Sequence, residues 1–226
     1  MKHGKKYRES LKKFNSANTY DLNEAMGLVK SLAFAKFDET VDLSVKLSLK
    51  KSQSVRDTVV LPHQFRGEKK ILVFCKPEKE KEAQDAGAAF VGADDLIDKV
   101  KGGWTDFDVA VATPDMMKDV GKLGMVLGRK GLMPNPKTGT VTFDLKGTLA
   151  ELRKGRTEFR ADKTGVVHLA IGKVSMEVEQ LAGNIRTVID EIKRKRPADA
   201  KGDFIKTVSV ASTMGPGVWV SVAEQE

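Results

Sequence analysis

The stretch ILVFCKPEKEKEAQDAGAAFVGADDLIDKVKGGWTDFDVAVA, Ile71 to Ala112, alternates two kinds of segment. Ile71 to Phe74, Phe90-Val91 and Asp108 to Ala112 are short apolar runs of strand length. Glu78 to Ala86, ending at Gly87, and Asp94 to Val100 carry charges on one side and apolar residues at helical spacing on the other. Strand, helix, strand, helix, strand implies parallel neighbours joined by helical crossovers, because antiparallel neighbours need only a turn. The pattern continues with a helix from Asp115, a fourth strand at Thr140 to Phe143 and a closing helix from Leu145 to Lys154. Residues 67–158 therefore read as an inserted α/β, Rossmann-like three-layer domain.

Outward from this segment the style changes on both sides. Lys2 to Lys13 holds Lys2, Lys5, Lys6, Arg8, Lys12 and Lys13 against Glu9, with Tyr7, Leu11 and Phe14 at helical spacing. A solvated face over a small apolar stripe and an RNA-contacting basic helix both fit it. Asp21 with Glu24 caps a second helix carrying Met26, Val29, Leu32 and Ala33, which ends before Lys36. From Thr40 to Leu49 the period switches to two, with Val41, Leu43, Val45, Leu47 and Leu49 against Asp42, Ser44, Lys46 and Ser48: a half-buried strand. On the far side, Glu158 to Arg160 and Val166 to Ile171 read as strands around the turn Asp162 to Gly165. Ser175 is expected to cap a helix running to about Arg196, with Val178, Leu181, Ile185, Val188, Ile189 and Ile192 on its buried stripe and Pro197 as its stop. Lys193 to Arg196 complements that helix's dipole or touches RNA. Phe204 to Val210 and Val218 to Val222 are the last strands, separated by Ser212 to Gly217.

Neither flank alone buries both faces of a sheet, so the two must share a core. The expected architecture is an α+β split (discontinuous) domain with an antiparallel sheet, residues 1–66 with 159–226, interrupted by the insert at 67–158. At these bounds the split domain carries +7 and the insert +1 of the chain's net +8. With 226 residues, 40% hydrophobic and 6% aromatic, the chain builds a core but has few rings for base stacking. A positive balance favours a polyanionic partner, by counterion release. The one cysteine, Cys75, forms no internal disulfide, which suits a cytoplasmic location. No apolar run approaches the roughly 20 residues of a membrane span, and the charged N-terminus lacks a signal-peptide core.

The densest loop is Leu127 to Val141, LGRKGLMPNPKTGTV. Pro134 and Pro136 remove two donors, and Gly128, Gly131 and Gly139 permit positive φ. It is either a phosphate cradle or a rigid connector, and it matches neither Gly-rich nucleotide fingerprint. His3, His63 and His168 lie apart and lack metal-ligand spacing. No catalytic constellation, metal site or cofactor is expected.

GLMPNPKTGTV, Gly131 to Val141, resembles the signature of the bacterial ribosomal protein L-one family. So, in order and over nearly the whole chain, do AKFDETVDLSVKL (Ala35 to Leu47), VVLPH (Val59 to His63), GAAFVGADDLI (Gly87 to Ile97), FDVAVATPDMM (Phe107 to Met117), EFRADKTGVVH (Glu158 to His168), IGKVSM (Ile171 to Met176) and STMGPGVWV (Ser212 to Val220). Arg129, Asp57 and Gln64-Phe65-Arg66 depart from the family pattern in their loops. The resemblance implies a large-subunit protein that binds rRNA in the mobile stalk near the tRNA exit site. It also implies assistance in releasing deacylated exit-site tRNA, repression of translation from its own operon mRNA, and a monomeric state outside the ribosome. The runner-up is a nucleotide-dependent enzyme built on the insert.

The same resemblance implies the RNA-binding residues Lys36, Phe37, Glu39, Thr40, Lys163, His168, Thr207, Thr213, Met214 and Gly215, with Lys5, Lys6 and Arg8 as further basic contacts. Taken alone, Phe37 also reads as the last core residue of its helix, His168 as a satisfied strand residue, and Ser212 to Gly217 as a hairpin turn. Toward RNA, the Thr213 hydroxyl is expected to reach 2′-OH and phosphate groups, and Met214 to stack adaptably. A carboxylate beside phosphate is repulsive, so Glu39 is expected to accept from a base amino group, a 2′-hydroxyl or a neighbouring Arg.

Overall fold

A computed structural model of the chain describes residues 4–50, 55–67, 69–197 and 202–221. Its contacts form two compact units, Met1–Phe65 with Glu158–Glu226, and Arg66–Thr157. Relative to the bounds read from sequence, Arg66 passes to the second unit and Glu158 to the first, so the charges become +5 and +3. Gross charge therefore separates the units less sharply than expected, and local placement has to decide.

The first unit opens with α1 (Lys5–Leu11), shorter than the sequence suggests, with Lys2 and His3 outside the described residues. Its buried side chain is Ser10, whose hydroxyl donates to the Leu32 carbonyl at 3.3 Å, while Phe14 packs against the core. After β1 (Thr19–Tyr20), α2 (Leu22–Leu32) starts at Asp21, whose carboxylate accepts from Asn23 N–H at 3.3 Å. It buries Leu22, Ala25, Met26, Val29 and Leu32. The alternation then yields β2 (Thr40–Leu47), followed by a short β3 (Arg56–Val59).

In the second unit β4 (Ile71–Phe74), α3 (Pro77–Asp85), β5 (Phe90–Gly92), α4 (Asp94–Lys101) and β6 (Val109–Ala112) form a parallel sheet in the order β5-β4-β6. Leu72 and Phe74 pack on one side with α4, Ile71 and Val73 on the other with α3, giving three layers. A 3-10 turn at Pro114–Met116 leads into α5 (Met117–Gly121) and α6 (Gly124–Lys130), and α7 (Leu145–Arg153) closes the unit with Asp144 accepting from Gly147 N–H.

The expected fourth strand at Thr140 to Phe143 is a single parallel bridge, Val141 to Ala112. Ala112 is the end of β6, and Pro114 two residues on has no N–H, so there is no ladder left to join. The loop before it is a connector. Gly131 ends α6 at φ 71°, Asn135 accepts from Lys137 N–H at 2.9 Å, and the N–H groups of Thr138, Gly139 and Thr140 bond back to Asn135 and Pro136. No row of free N–H groups remains there for a phosphate.

Back in the first unit, β7 (Thr157–Arg160) pairs with β3, and β8 (Val166–Lys173) leads to α8 (Val178–Arg194), β9 (Ile205–Ser212) and β10 (Val218–Val220). Ser175 does not cap α8. A reciprocal capping box of Glu177 and Gln180 does, and Ser175 instead gives its N–H and hydroxyl to the Asp38 carboxylate at 3.1 and 2.8 Å. The helix stops at Arg194, three residues before Pro197, and Val222 lies outside the described residues. The sheet runs β1-β10-β9-β2-β8 and is antiparallel except for β1 on β10, a pair far apart in sequence that needs no tight turn.

α2 and α8 cover one face of this sheet through the buried alternates of β2, β8 and β9. The opposite face is polar. Across it run His168, Ser44, Ser209, Trp219 and Thr19 as register partners, flanked by the pair Lys46 and Thr207 and by Asp42 with Ala170 and Ala211.

Candidate nucleic-acid interface

Two segments distant in sequence meet where β2 begins and β9 ends. Thr40 N–H donates to Thr213 Oγ1 at 2.9 Å, and the Thr213 N–H and hydroxyl donate to Thr40 O at 3.0 and 3.2 Å. The register Val41 to Ser212 continues into this double clasp. Glu39 lies beneath it, 1% exposed, accepting from Phe34 and Ala35 N–H at 3.0 and 2.8 Å on one oxygen and from Met214 N–H at 3.0 Å on the other. Burial opposes the charged form and is the largest influence. Yet the N–H groups of Met214, Ala35 and Phe34 together hold the Glu39 carboxyl below its ordinary value of 4.5.

This overturns the role expected of Glu39. Its oxygens are turned inward and occupied by the backbone, so it clamps the corner instead of accepting from RNA. The Thr213 hydroxyl is likewise engaged, locking Thr40 in place. Gly215 fits this packing because a Cβ there would stand 2.4 Å from Ser212 Oγ.

What the clamp presents outward is mainly apolar and cationic, the exposed Asp38 carboxylate being engaged by Ser175. Phe37 is 56% exposed and Met214 51% exposed, so Phe37 is no core residue of α2. Lys36 is exposed beside them, and Lys173 Nζ donates to Thr40 Oγ1 at 2.8 Å. The bond from Ser10 to Leu32 anchors α1 to the end of α2 just before this corner, with Lys5, Lys6 and Arg8 exposed. Two large side chains facing solvent beside cations, on backbone that the clamp fixes at Ala35 and Met214, suit stacking on sugars or bases with phosphates alongside.

The remaining expected residues lie elsewhere on the open face. His168 is exposed on the edge strand β8, its Nδ1 3.0 Å from Ser44 Oγ. Lys163 is exposed in the turn held by Asp162, whose carboxylate accepts from Val166 and Thr164 N–H and from the Thr164 hydroxyl, lowering its pKa. Lys46 donates to the Thr164 carbonyl, and Thr207 pairs with Lys46 on β9. At about 3.3 Å per residue, this end stands roughly 20 Å from the corner along β2. Apart from the buried Glu39, these residues form an elongated track, not a pocket.

Sequence reading missed three supports: Asp38, which ties Ser175 to the corner; Lys173; and Asn184, fully buried in α8 and bonded to His63 and Ile171. In the second unit the Cys75 thiol is pushed up to about 11, chiefly by burial, which leaves it a poor nucleophile at neutral pH. No metal-holding group of three or more His, Cys, Asp or Glu occurs among the described residues, and no described helix is long and apolar enough to cross a membrane.

Residues 29–216 match the model of the family described as the Ribosomal protein L1p/L10e family. The chain is 66% identical over 220 residues to the large ribosomal subunit protein uL1 of Treponema denticola, covering 97% of each chain. It is 56% identical over 226 residues to the protein of that name from Treponema pallidum, covering 100% of both, and 54% identical over 224 residues to that of Leptospira biflexa, covering 99% of this chain and 97% of the other.

Proposed function

The chain belongs to the Ribosomal protein L1p/L10e family, a non-enzymatic family of large-subunit ribosomal proteins, and on that premise we propose that its split unit binds large-subunit rRNA through the corner at Phe37 and Met214. The observation that carries this is the clamp: Glu39 orders a surface whose outward side chains are Phe37, Met214 and Lys36. A turn that only reversed the chain needs no buried carboxylate and no exposed Phe and Met. From the corner the footprint runs along Thr40, His168, Thr207 and Lys163, with Lys5, Lys6 and Arg8 reaching phosphates. RNA is recognised by shape, 2′-hydroxyl contacts and a few stacked bases. In the cytoplasmic ribosome the protein forms the mobile stalk, touches exit-site tRNA and assists its release. Outside it, the same surface represses translation of the protein's own operon mRNA through an RNA copy of the rRNA site. An enzyme built on the insert is set aside, since the family is ribosomal and its Gly-rich loop closes on itself.

Phe37→Ala and Met214→Ala in the full-length chain test the corner. Both side chains are exposed, so the melting temperature is expected to hold. Losing the Phe37 ring is expected to weaken binding of a stalk rRNA fragment by about tenfold or more, a base stack being worth roughly 1–3 kcal/mol. The salt slope is expected to stay constant in both, since neither change removes a cation. Unaltered affinity in both variants would remove the corner from the site. Thr213→Val is expected to cost about 0.5–1.5 kcal/mol of stability through the lost Thr40 clasp, measured by urea unfolding, before any RNA is added.

A further inference from the structure

At the end of β9 remote from the corner, Lys46 pairs with Thr207 but Leu47 pairs with Ile205, so Lys206 is an extra residue in the ladder. A bulge re-aims side chains, and here Lys206 and Thr207 are both exposed although they are consecutive. Beside them stands Trp219. Val218 and Val220 on either side are buried in the core, which forces the indole onto the open face, where it is 41% exposed. Its register partners are Ser209 and Thr19, both too small to cover a ring of that size. Lys206, Thr207, Trp219 and Thr19, with Ala17 and Ser221 among the other walls, line a half-open groove of about 390 Å³.

The chemistry of these walls is selective. A bare indole face offers stacking, Lys206 offers a cation with no ion pair among the described residues, and Thr207 offers a hydroxyl. Among the described residues no acidic side chain lines the groove, and Asp42 on this face stands on the row of Ala211, at the other end of the sheet. A docked peptide would want a second apolar anchor, and the further apolar walls Val208 and Val220 are 1% and 2% exposed, sunk in the core, which leaves Ala, Thr, Ser and Lys. Ring, cation and hydroxyl together match a nucleotide: base, phosphate and ribose. Thr207 lies on β9 and Thr213 directly follows its last residue, roughly 20 Å away, so an RNA seated at the corner passes along β9 toward the groove.

We infer that the groove between Trp219 and Lys206 takes an unpaired RNA base, stacked on the indole with its phosphate at the Lys206 ammonium. It extends the rRNA footprint proposed above and rests on that reading.

The test uses the full-length chain with Trp104→Phe. Trp104 belongs to the second unit, against Phe90 and Phe107, so the remaining emission comes from Trp219 alone. Titration with a stalk rRNA fragment is expected to quench Trp219 and to saturate at the Kd found by filter binding. Trp219→Ala is expected to weaken that binding about tenfold, Trp219→Phe much less, and Lys206→Ala to reduce the salt slope by about one. Tight rRNA binding with unchanged Trp219 emission and full affinity in Trp219→Ala would overturn the inference, leave the corner reading intact and return the groove to a protein partner. Failure of the parent chain to bind the rRNA fragment would overturn the corner reading and this inference together.

Discussion

The Glu39→Gln protein is expected to bind stalk rRNA at least about tenfold more weakly than the parent chain and to lose about 1.5–3 kcal/mol of stability in its split unit. The carboxylate accepts three backbone N–H groups, from Phe34, Ala35 and Met214, and has no donor of its own. An amide has one acceptor oxygen. If that oxygen keeps Phe34 and Ala35, the amide NH₂ faces the Met214 N–H, and donor against donor pushes the 213–215 segment away from Thr40. If it turns over, the 34–35 segment is released instead, and Phe37 loses its mooring. Either way Phe37 and Met214 cease to be held as a pair, so an RNA-binding loss follows from a residue that is buried beneath the surface it serves.

The pH dependence follows from the same contacts. The Glu39 carboxyl lies below its ordinary 4.5 in the folded chain, so the unfolded chain protonates first as acid is added. The stabilisation is therefore fully present above about pH 4.5 and is lost as pH falls through the lower folded value. The stability gap between parent and Glu39→Gln should be widest near pH 7 and narrow below pH 4.5. Urea unfolding followed by Trp219 emission in the Trp104→Phe background reports this unit alone. A gap that stayed constant between pH 7 and pH 4 would mean that the charge at Glu39 does not hold the corner.

Much of this architecture is legible in the sequence where the signal is local. Val41, Leu43, Val45 and Leu47 announce a sheet with one buried face, and the apolar runs at Ile71 to Phe74 and Asp108 to Ala112, separated by helical segments, announce parallel strands. Errors fall where a distant partner decides. Thr140 to Phe143 has strand composition, but its ladder neighbour runs out at Ala112. Ser175 has capping chemistry, but Asp38, 137 positions away, already holds it. Glu39 reads as a charge beside an exposed ring, and nothing in its neighbours announces that Met214 will close over it. Lys206 and Trp219 are ordinary alternates until the bulge turns two consecutive side chains to the same side. Asp57, a departure from the family pattern, pairs with Lys195 at 2.6 Å, a contact between the segment before the insert and the end of α8 that no local pattern encodes.

Asn184 is the strongest case of a distant partner, and Asn184→Asp is expected to cost the split unit about 3 kcal/mol at neutral pH. Its position inside the apolar stripe of α8 looks like a flaw, flanked by Leu181, Ile185 and Val188. The side chain is fully buried: Nδ2 donates to His63 O and Ile171 O, each at 2.8 Å, and Oδ1 accepts from His63 N–H at 3.0 Å. One amide thus satisfies three backbone groups and ties the Leu61 to Phe65 segment to α8 and β8. Aspartate keeps the acceptor and removes both donors, setting a carboxylate against two carbonyl oxygens in a dry site. The folded chain relieves this by keeping the acid protonated, which raises its pKa above the unfolded value of about 3.9. Stability is then lost as pH rises from about 4 through that raised value, the reverse of the trend at Glu39, so the variant should be closest to the parent near pH 4 and furthest from it at pH 8. Asn184 contributes no atom to the corner, and the folded variant should bind rRNA as the parent does. Equal destabilisation at both pH values, or a selective loss of rRNA affinity with stability unchanged, would show that this amide does something other than hold three backbone groups in the core.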